Sequence, residues 1–408
     1  MKRHIHLGLG RFHRAHQALY LQNLGYRITA FSMRSAGEAQ ALSLAGHRYQ
    51  VLILSRDQTR IETVEAIDEA LFVQEHRQRL NQLVADPGIE TLTLTITEKG
   101  YCADSQGRLD RQAAGNPGSA LALLVNALEG RQAPFRVISC DNLNANGDRL
   151  KRLCLEWCRA FDKPETARYL EEQVQFPNSM VDRIVPSLTP EQMADFQARF
   201  PQLQGNFVAT EAFHQWVLEA PELSHWAQPG LMLVDQVAPF ERFKLLLLNA
   251  SHSFLAYYGQ LQGYSYVHQA IADPRIRSLV ESLYFEEVGP YLQAPPGLGL
   301  EEYCGQLLER FANPHLPHKL AQIAMDGSQK LPQRILGSLA EARRRGSPSR
   351  CLELALDSWL RYMWLGLSKS QDFFISDPAR QRMEQSLGAT FEESARHWLE
   401  ELFGLSGA

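Results

Sequence analysis

Four polar residues sit inside one strongly apolar run, and their types are those of acid–base chemistry. The run is Phe240 to Tyr258, FERFKLLLLNASHSFLAYY, and it carries Glu241, Lys244, Asn249 and His252. Read as a regular helix at about 100° per residue, it places the four within an arc of roughly 140°. With Lys244 at the origin, Glu241 lies at about 60°, His252 at about 80° and Asn249 at about 140°. Leu245 and Leu248 point into the same arc. The polar face is therefore expected inside the protein, where each group must be satisfied or functional. Desolvation lowers the pKa of a buried amine towards neutrality, which makes Lys244 a usable base. The run alone allows a structural account with equal weight: a Glu241–Lys244 ion pair one turn apart, a satisfied core histidine, and an asparagine cap or inter-helix hydrogen bond.

These residues need elements to hold them and a partner for their chemistry. Residues 4 to 8, IHLGL, then Gly10 and an amphipathic stretch from Arg14 to Leu24, read as strand, tight turn and helix. Gly8 and Gly10 let the backbone approach a pyrophosphate at the helix N-terminus. Position 13 is His13, so the third glycine of the usual fingerprint is missing. His13 and His16 have metal-compatible spacing without a third ligand, and they read as satisfied histidines near a cofactor; no metal is expected. A second strand, Arg27 to Met33, ends in Arg34 and Ser35, where an NAD-binding unit commonly has an acid. Arg34 suits a 2′-phosphate or faces solvent, so both NAD and NADP stay open.

Further strand candidates are Val51 to Leu54, Thr91 to Thr97 and Val137 to Cys140, with helices at Ser119 to Leu128 and Gly147 to Ala160. This alternation predicts a mostly parallel sheet with helices on both faces. Polar residues just past its strand ends, Thr97, Glu98 and Asn142, are expected at the ligand crevice. Asp141 and Asn146 fit helix caps. Asp182 and Arg183 lie in FPNSMVDRIVP (Phe176 to Pro186) and read as an ion pair. Asn206 to Leu218 reads as extended. Beyond Pro239 helical patterns recur near 268–285, 302–311, 332–344, 350–368 and 390–403, with Asp326 to Gln333 a loop presenting Lys330. The expected domains are an α/β domain over 1–235 and an all-α domain over 236–408.

Composition bounds the partners. The chain has 408 residues and a formal net charge of -5, with no long basic or acidic run, so nothing favours nucleic acid or a membrane surface. The opening MKRHIHLGLGRFHRAH turns polar too soon for a signal peptide, and six scattered cysteines suit free thiols in a reducing cytoplasm.

Together these blocks resemble the mannitol dehydrogenase family of polyol-specific long-chain dehydrogenases, which includes the fructuronate reductases. GLGRFHRAHQ, TEKGY, SCDNLNANG, FPNSMVDRIVP, QWV, the spacing of Lys244, Asn249 and His252, NPH (Asn313 to His315) and DGSQKLP (Asp326 to Pro332) occur in the family's order. The resemblance implies an expanded Rossmann-type domain with a mostly parallel sheet, then an all-α C-terminal domain, with the active site between them. It implies zinc-independent, NAD(P)-dependent oxidation of a secondary alcohol, or the reverse reduction, by a cytoplasmic enzyme expected as a monomer. Lys244 matches the general acid/base, Asn142 and Asn249 the donors to the reacting oxygen, His252 a substrate-positioning residue, and Glu241 a residue linked to proton exit. Gly8, Gly10, Phe12, Arg34, Thr97 and Glu98 are the cofactor-binding set, and Asp182 and Lys330 line the substrate cavity. Some mannitol dehydrogenases have an arginine where this chain has Gln322, and the DGSQKLP stretch also looks like that of sugar-acid members. The substrate expectation is a polyol such as mannitol or arabinitol. The alternative is a hexonate, for whose carboxylate Lys330 or Arg334 is available. A catalytically silent dinucleotide-binding regulator is the reading from another class.

Overall fold

The structure, a computed structural model, describes residues 2–104 and 106–405. The chain forms two compact units, Met1–Ala238 and Pro239–Ala408.

The strands of the first unit, in chain order, are β1 (Lys2–Leu7), β2 (Tyr26–Ser32), β3 (Tyr49–Leu54), β4 (Thr59–Val64), β5 (Ile67–Phe72) and β6 (Thr91–Leu94). They continue with β7 (Phe135–Ser139), β8 (Val174–Gln175), β9 (Ser179–Asp182), β10 (Val208–Glu211), β11 (Gln215–Leu218) and β12 (Leu231–Leu233). A six-stranded sheet runs β5-β2-β1-β6-β7-β8, and every pair in it is parallel. Alternation along the strands divides the core by face. Ile5, Leu7, Leu92, Leu94 and Val137 pack on one side, and Ile28, Ala30 and Ile138 on the other.

His4 and His6 of β1 are buried, and threonines of the next strand and its exit satisfy them. His4 lies 2.8 Å from both Thr91 Oγ1 and Thr93 Oγ1; His6 lies 2.8 Å from Thr93 Oγ1 and 3.1 Å from Thr95 Oγ1. Without a charged partner both imidazoles are held neutral by burial, His4 pushed down to about 3.

The expected strand near Val51 forms, but outside the main sheet. β3 pairs antiparallel with β4 and parallel with β10 in a separate three-stranded sheet, and β9, β11 and β12 make another. Nor is the stretch from Arg14 to Leu24 one helix. It divides into Arg11–Ala15 and Gln17–Asn23 at His16, whose φ of -133° and ψ of -86° leave the helical region. Arg183 fastens this break, donating to the Ala15 carbonyl at 2.6 Å and to the Glu211 carbonyl at 3.0 and 3.2 Å. The arginine expected in an ion pair with Asp182 is thus a buried staple between backbone segments.

The second unit is largely helical, with no named strand among its described residues. Its core gathers Ala250–Leu261, Pro274–Ser282, Leu300–Phe311 and the 18-residue helix Arg350–Leu367, through residues such as Phe254, Val280, Leu307 and Trp359. The buried Glu287 carboxylate caps that long helix, accepting from Cys351 N at 2.7 Å and Leu352 N at 3.0 Å. Asp326 to Gln333, expected as a loop, is mostly helical. Asp326 at φ +58° leads into the helix Gly327–Leu331, and Asp377 caps it by accepting from Ser328 N at 2.8 Å. Pro332 has no N–H to continue the α ladder, and the chain passes it in a π turn, Pro332–Leu336.

Candidate active site

The sheet order reverses between β1 and β6, since the chain builds outward through β2 and β5 on one side and through β7 and β8 on the other. Loops leaving the strands at such a switch point flank a crevice. After β1 comes the Gly8–Gly10 turn. Gly8 has φ +108°, and a Cβ there would meet the Thr95 carbonyl at 2.0 Å, so only glycine fits. At Gly10 a Cβ would meet nothing nearer than the Gly8 carbonyl at 3.7 Å, which leaves its surface open to an approaching group. Phe12, on the helix that follows, stacks on His16 with centroids 5.0 Å apart.

The loop after β6 faces it in the same order of strands. Thr97 adopts φ +62°, an unusual conformation for a β-branched residue and one that its surroundings must enforce. Asp141, at the exit of β7, does so by accepting from Thr97 N at 2.8 Å and Ile96 N at 3.1 Å. Tyr101 donates to the same carboxylate at 3.0 Å. Burial raises the Asp141 pKa to about 6 against these hydrogen bonds. Asp141 therefore caps the short helix Thr97–Gly100 across the sheet rather than the helix that follows it in sequence. Arg34 donates to Thr97 Oγ1 at 2.9 Å, joining the loops after β2 and β6, and Glu98 is exposed beside it.

Asn146 is no helix cap either. Its Nδ2 donates to the carbonyls of Ser139, Asp141 and Ser179, at 3.2, 3.0 and 2.8 Å, and its Oδ1 accepts from Ser179 N at 2.9 Å. This holds the turn bearing the exposed Asn142 against β9. The cap of the helix Asn146–Ala160 is Asn178 of the FPNSMVD block, whose Oδ1 accepts from Gly147 N at 3.0 Å and Asp148 N at 3.1 Å. Asp182 ends β9 and is buried. His13 is buried and stacked on His6 at 3.5 Å, yet neither ring nitrogen hydrogen-bonds to a described residue, so the expectation of a satisfied histidine fails.

In the second unit the apolar run is not a regular α-helix. An α segment, Ala238–Lys244, passes through a π turn, Leu245–Asn249, into Ala250–Leu261. A π turn takes one residue more than an α turn, so residues beyond it are set back by about 100°. Relative to Lys244, Asn249 then comes to about 40° and His252 to about -20°, with Glu241 still at about 60°. The π turn narrows the polar arc, and Lys244, Asn249 and His252 share one buried face. Glu241 is half-buried one turn before Lys244.

His252 packs on Phe311 at 4.7 Å and edge-on to His318 at 5.2 Å. Burial holds its pKa well below the ordinary value, reinforced by the charges of His318, Arg334, Arg310 and Lys244. His252 is therefore a neutral imidazole, suited to hydrogen bonding and not to carrying a proton. Lys330 does not project from a loop: it lies on a helix, and its Nζ donates to the carbonyls of Met325 at 2.5 Å and Ile323 at 3.4 Å. Arg334, one turn further on, reaches the Asn249 segment, with Nη1 3.1 Å from Ser253 Oγ. Its spacing from Lys330 is a helical signal, hidden in the sequence by Pro332.

A parallel sheet with a glycine turn at its switch point, followed by a largely helical unit, defines a two-unit Rossmann-type protein. Residues 2–228 match the mannitol dehydrogenase Rossmann domain, and residues 236–404 the mannitol dehydrogenase C-terminal domain. D-mannonate oxidoreductase of Escherichia coli K12 is 35% identical, over 99% of this chain and 88% of that protein. Mannitol 2-dehydrogenase of Phaeosphaeria nodorum is 34% identical, over 93% and 72%. Among solved structures, the Pseudomonas fluorescens mannitol 2-dehydrogenase complex with NAD and D-mannitol superposes with a TM-score of 0.83 at 28% identity, covering 98% of this chain and 87% of that one. A substrate-free D-sorbitol dehydrogenase gives a TM-score of 0.82 at 26% identity, over 98% and 90%. The chain belongs to the mannitol dehydrogenase family and is an oxidoreductase.

Proposed function

We propose that this protein interconverts a secondary alcohol and a ketone on an open-chain polyol or sugar acid, with NAD or NADP as redox partner and no metal. The observation that carries the reading is the π turn, which gathers Lys244, Asn249 and His252 on one buried face. When bound, a nicotinamide cofactor would supply the hydride-transfer chemistry at the carbinol carbon. Neutral Lys244 takes the hydroxyl proton in oxidation and returns it in reduction. The amides of Asn142 and Asn249 donate to the substrate oxygen, where negative charge develops, and preorganised donors of this kind do the work a Lewis acid does elsewhere. Neutral His252 orients the substrate through a hydrogen bond, and Glu241 lies on the proton's way out. Gly8 and Gly10 receive the pyrophosphate, with Phe12, Thr97 and Glu98 around the crevice and Asp182 and Lys330 towards the substrate. Arg34, past the end of the second strand, would read the ribose hydroxyl or a 2′-phosphate, which keeps both cofactors in play.

The relatives divide between mannitol 2-dehydrogenases and a mannonate oxidoreductase, so a polyol and a hexonate are both candidates. The test is absorbance at the NADH wavelength with purified protein, given mannitol, arabinitol or mannonate, each with NAD and NADP. Turnover on at least one pair is expected, and dialysis against EDTA should leave its rate unchanged. Cofactor binding without turnover on any of them would favour a silent dinucleotide-binding regulator.

A further inference from the structure

Arg334 lies on the π turn Pro332–Leu336, and its guanidinium is fixed along one edge only. Nη1 donates to Ser253 Oγ at 3.1 Å and to the Asn249 carbonyl at 3.4 Å. Ser253 follows His252 in the chain, so both anchors belong to the segment bearing Asn249 and His252. Nε and Nη2 make no hydrogen bond to a described residue, and neither is sealed from solvent. Among the described residues Arg334 has no carboxylate partner; the one group that favours its charged form is the Tyr257 phenol.

A guanidinium does not give up its proton at neutral pH, so a half-buried one without a counter-charge is costly to keep. Burial pulls its pKa down only to about 10. The Nε–Nη2 edge is also the fork that meets a carboxylate through two parallel hydrogen bonds. Lys330, the other cation at hand, has its ammonium on the carbonyls of Met325 and Ile323.

The geometry points to Arg334 as the carboxylate-binding, specificity-determining residue of this enzyme, and to a sugar acid of the hexonate class, not an uncharged alditol, as its substrate. This inference rests on the oxidoreductase reading above and narrows it.

The test compares matched pairs, D-mannonate with D-mannitol, D-altronate with D-altritol and D-gluconate with D-sorbitol. Each is assayed on the full chain with NAD and with NADP, in wild type, Arg334→Gln and Arg334→Lys. Thermal melting and NADH fluorescence titration report folding and cofactor binding. Wild type should favour one acid over its alditol in kcat/KM. Arg334→Gln should lower that acid-to-alditol ratio by about 10- to 100-fold, chiefly through KM for the acid. Arg334→Lys should recover part of the ratio, since it keeps the charge and loses the fork. A merely structural arginine would depress both members of a pair together and leave the ratio where it was, which would overturn the assignment. A wild type that prefers the alditol in every pair would also overturn it, while leaving the oxidoreductase reading intact. Absence of turnover on all six compounds, with NADH bound, would bring down that broader reading, and this inference with it.

Discussion

Lys244 is buried, and the π turn sets it on one face with Asn249 and His252, a placement suited to moving a proton at a substrate oxygen. Lys244→Ala should bind nicotinamide cofactor with near wild-type affinity and lose about 10²- to 10⁴-fold in turnover, the usual worth of a positioned acid or base. Single-turnover absorbance with pre-bound cofactor measures it, and an unchanged rate would remove Lys244 from the role of base. The same role fixes the sign of the pH dependence. Oxidation needs the neutral amine and should rise with pH, whereas reduction needs the ammonium and should fall as pH rises. Rates measured in both directions from pH 6 to pH 10 (about that span) check it, and a flat chemical step in both would contradict the mechanism. The residue types of this site were legible in the sequence, because a Lys, an Asn and a His within an apolar run are conspicuous. Arg334 drew attention there only as an available cation. Its fixed edge depends on Ser253, far away in sequence, which no local pattern reports.

At the scale of elements, two devices aim the site. One is the π turn Leu245–Asn249, a motif frequent at functional sites that has no composition of its own. A regular helix was the natural expectation for LLLLN, and it spread the polar arc too widely. The other is the pair of asparagines around β9. Asn146 ties the turn carrying Asn142 to Ser179, and Asn178 caps the helix Asn146–Ala160. Asn178→Ala should cost about 1 kcal/mol of stability, up to about 2, as the loss of a capping side chain does. Urea unfolding followed by far-ultraviolet circular dichroism reads this, and a midpoint equal to wild type would mean that the cap is replaceable. Caps were expected at Asp141 and Asn146 because both precede the helix in sequence. Their real partners lie past the end of β6 for Asp141 and on β9 for Asn146, where the sheet's register put them.

At the scale of the whole molecule, the buried histidines set an acid limit. His4 and His16 are pushed down to about 3 and His318 to about 4, while His6, His13 and His252 sit well below the ordinary 6.5. The unfolded chain takes up protons near 6.5 and the native state does not, so stability is complete above that pH. It is lost as pH falls towards the folded values, at about 1.4 kcal/mol per pH unit for each histidine. Asp141, raised to about 6, contributes with the opposite sign, its stabilisation present at low pH and lost as pH rises through about 6. It is one group against several. Urea midpoints should therefore drop steeply between pH 6.5 and about 4.5. A flat profile across that window would show that these imidazoles are not held neutral.

The sequence by itself determined the alternation of strands and helices, the helical character of the second half and the residues fit for acid–base work. Periodicity, turn glycines and residue chemistry are local properties, and they survive in any context. Tertiary structure decided which way those residues face. The separate sheet built on β3, the break at His16, the φ of Thr97 enforced by Asp141 and the π turns Leu245–Asn249 and Pro332–Leu336 each exchange local regularity for packing or for hydrogen bonds to distant segments. Such exchanges depend on partners tens to hundreds of residues away, such as Ala15 for Arg183 or Asn249 for Arg334. A local pattern cannot state a preference that only the folded neighbours create.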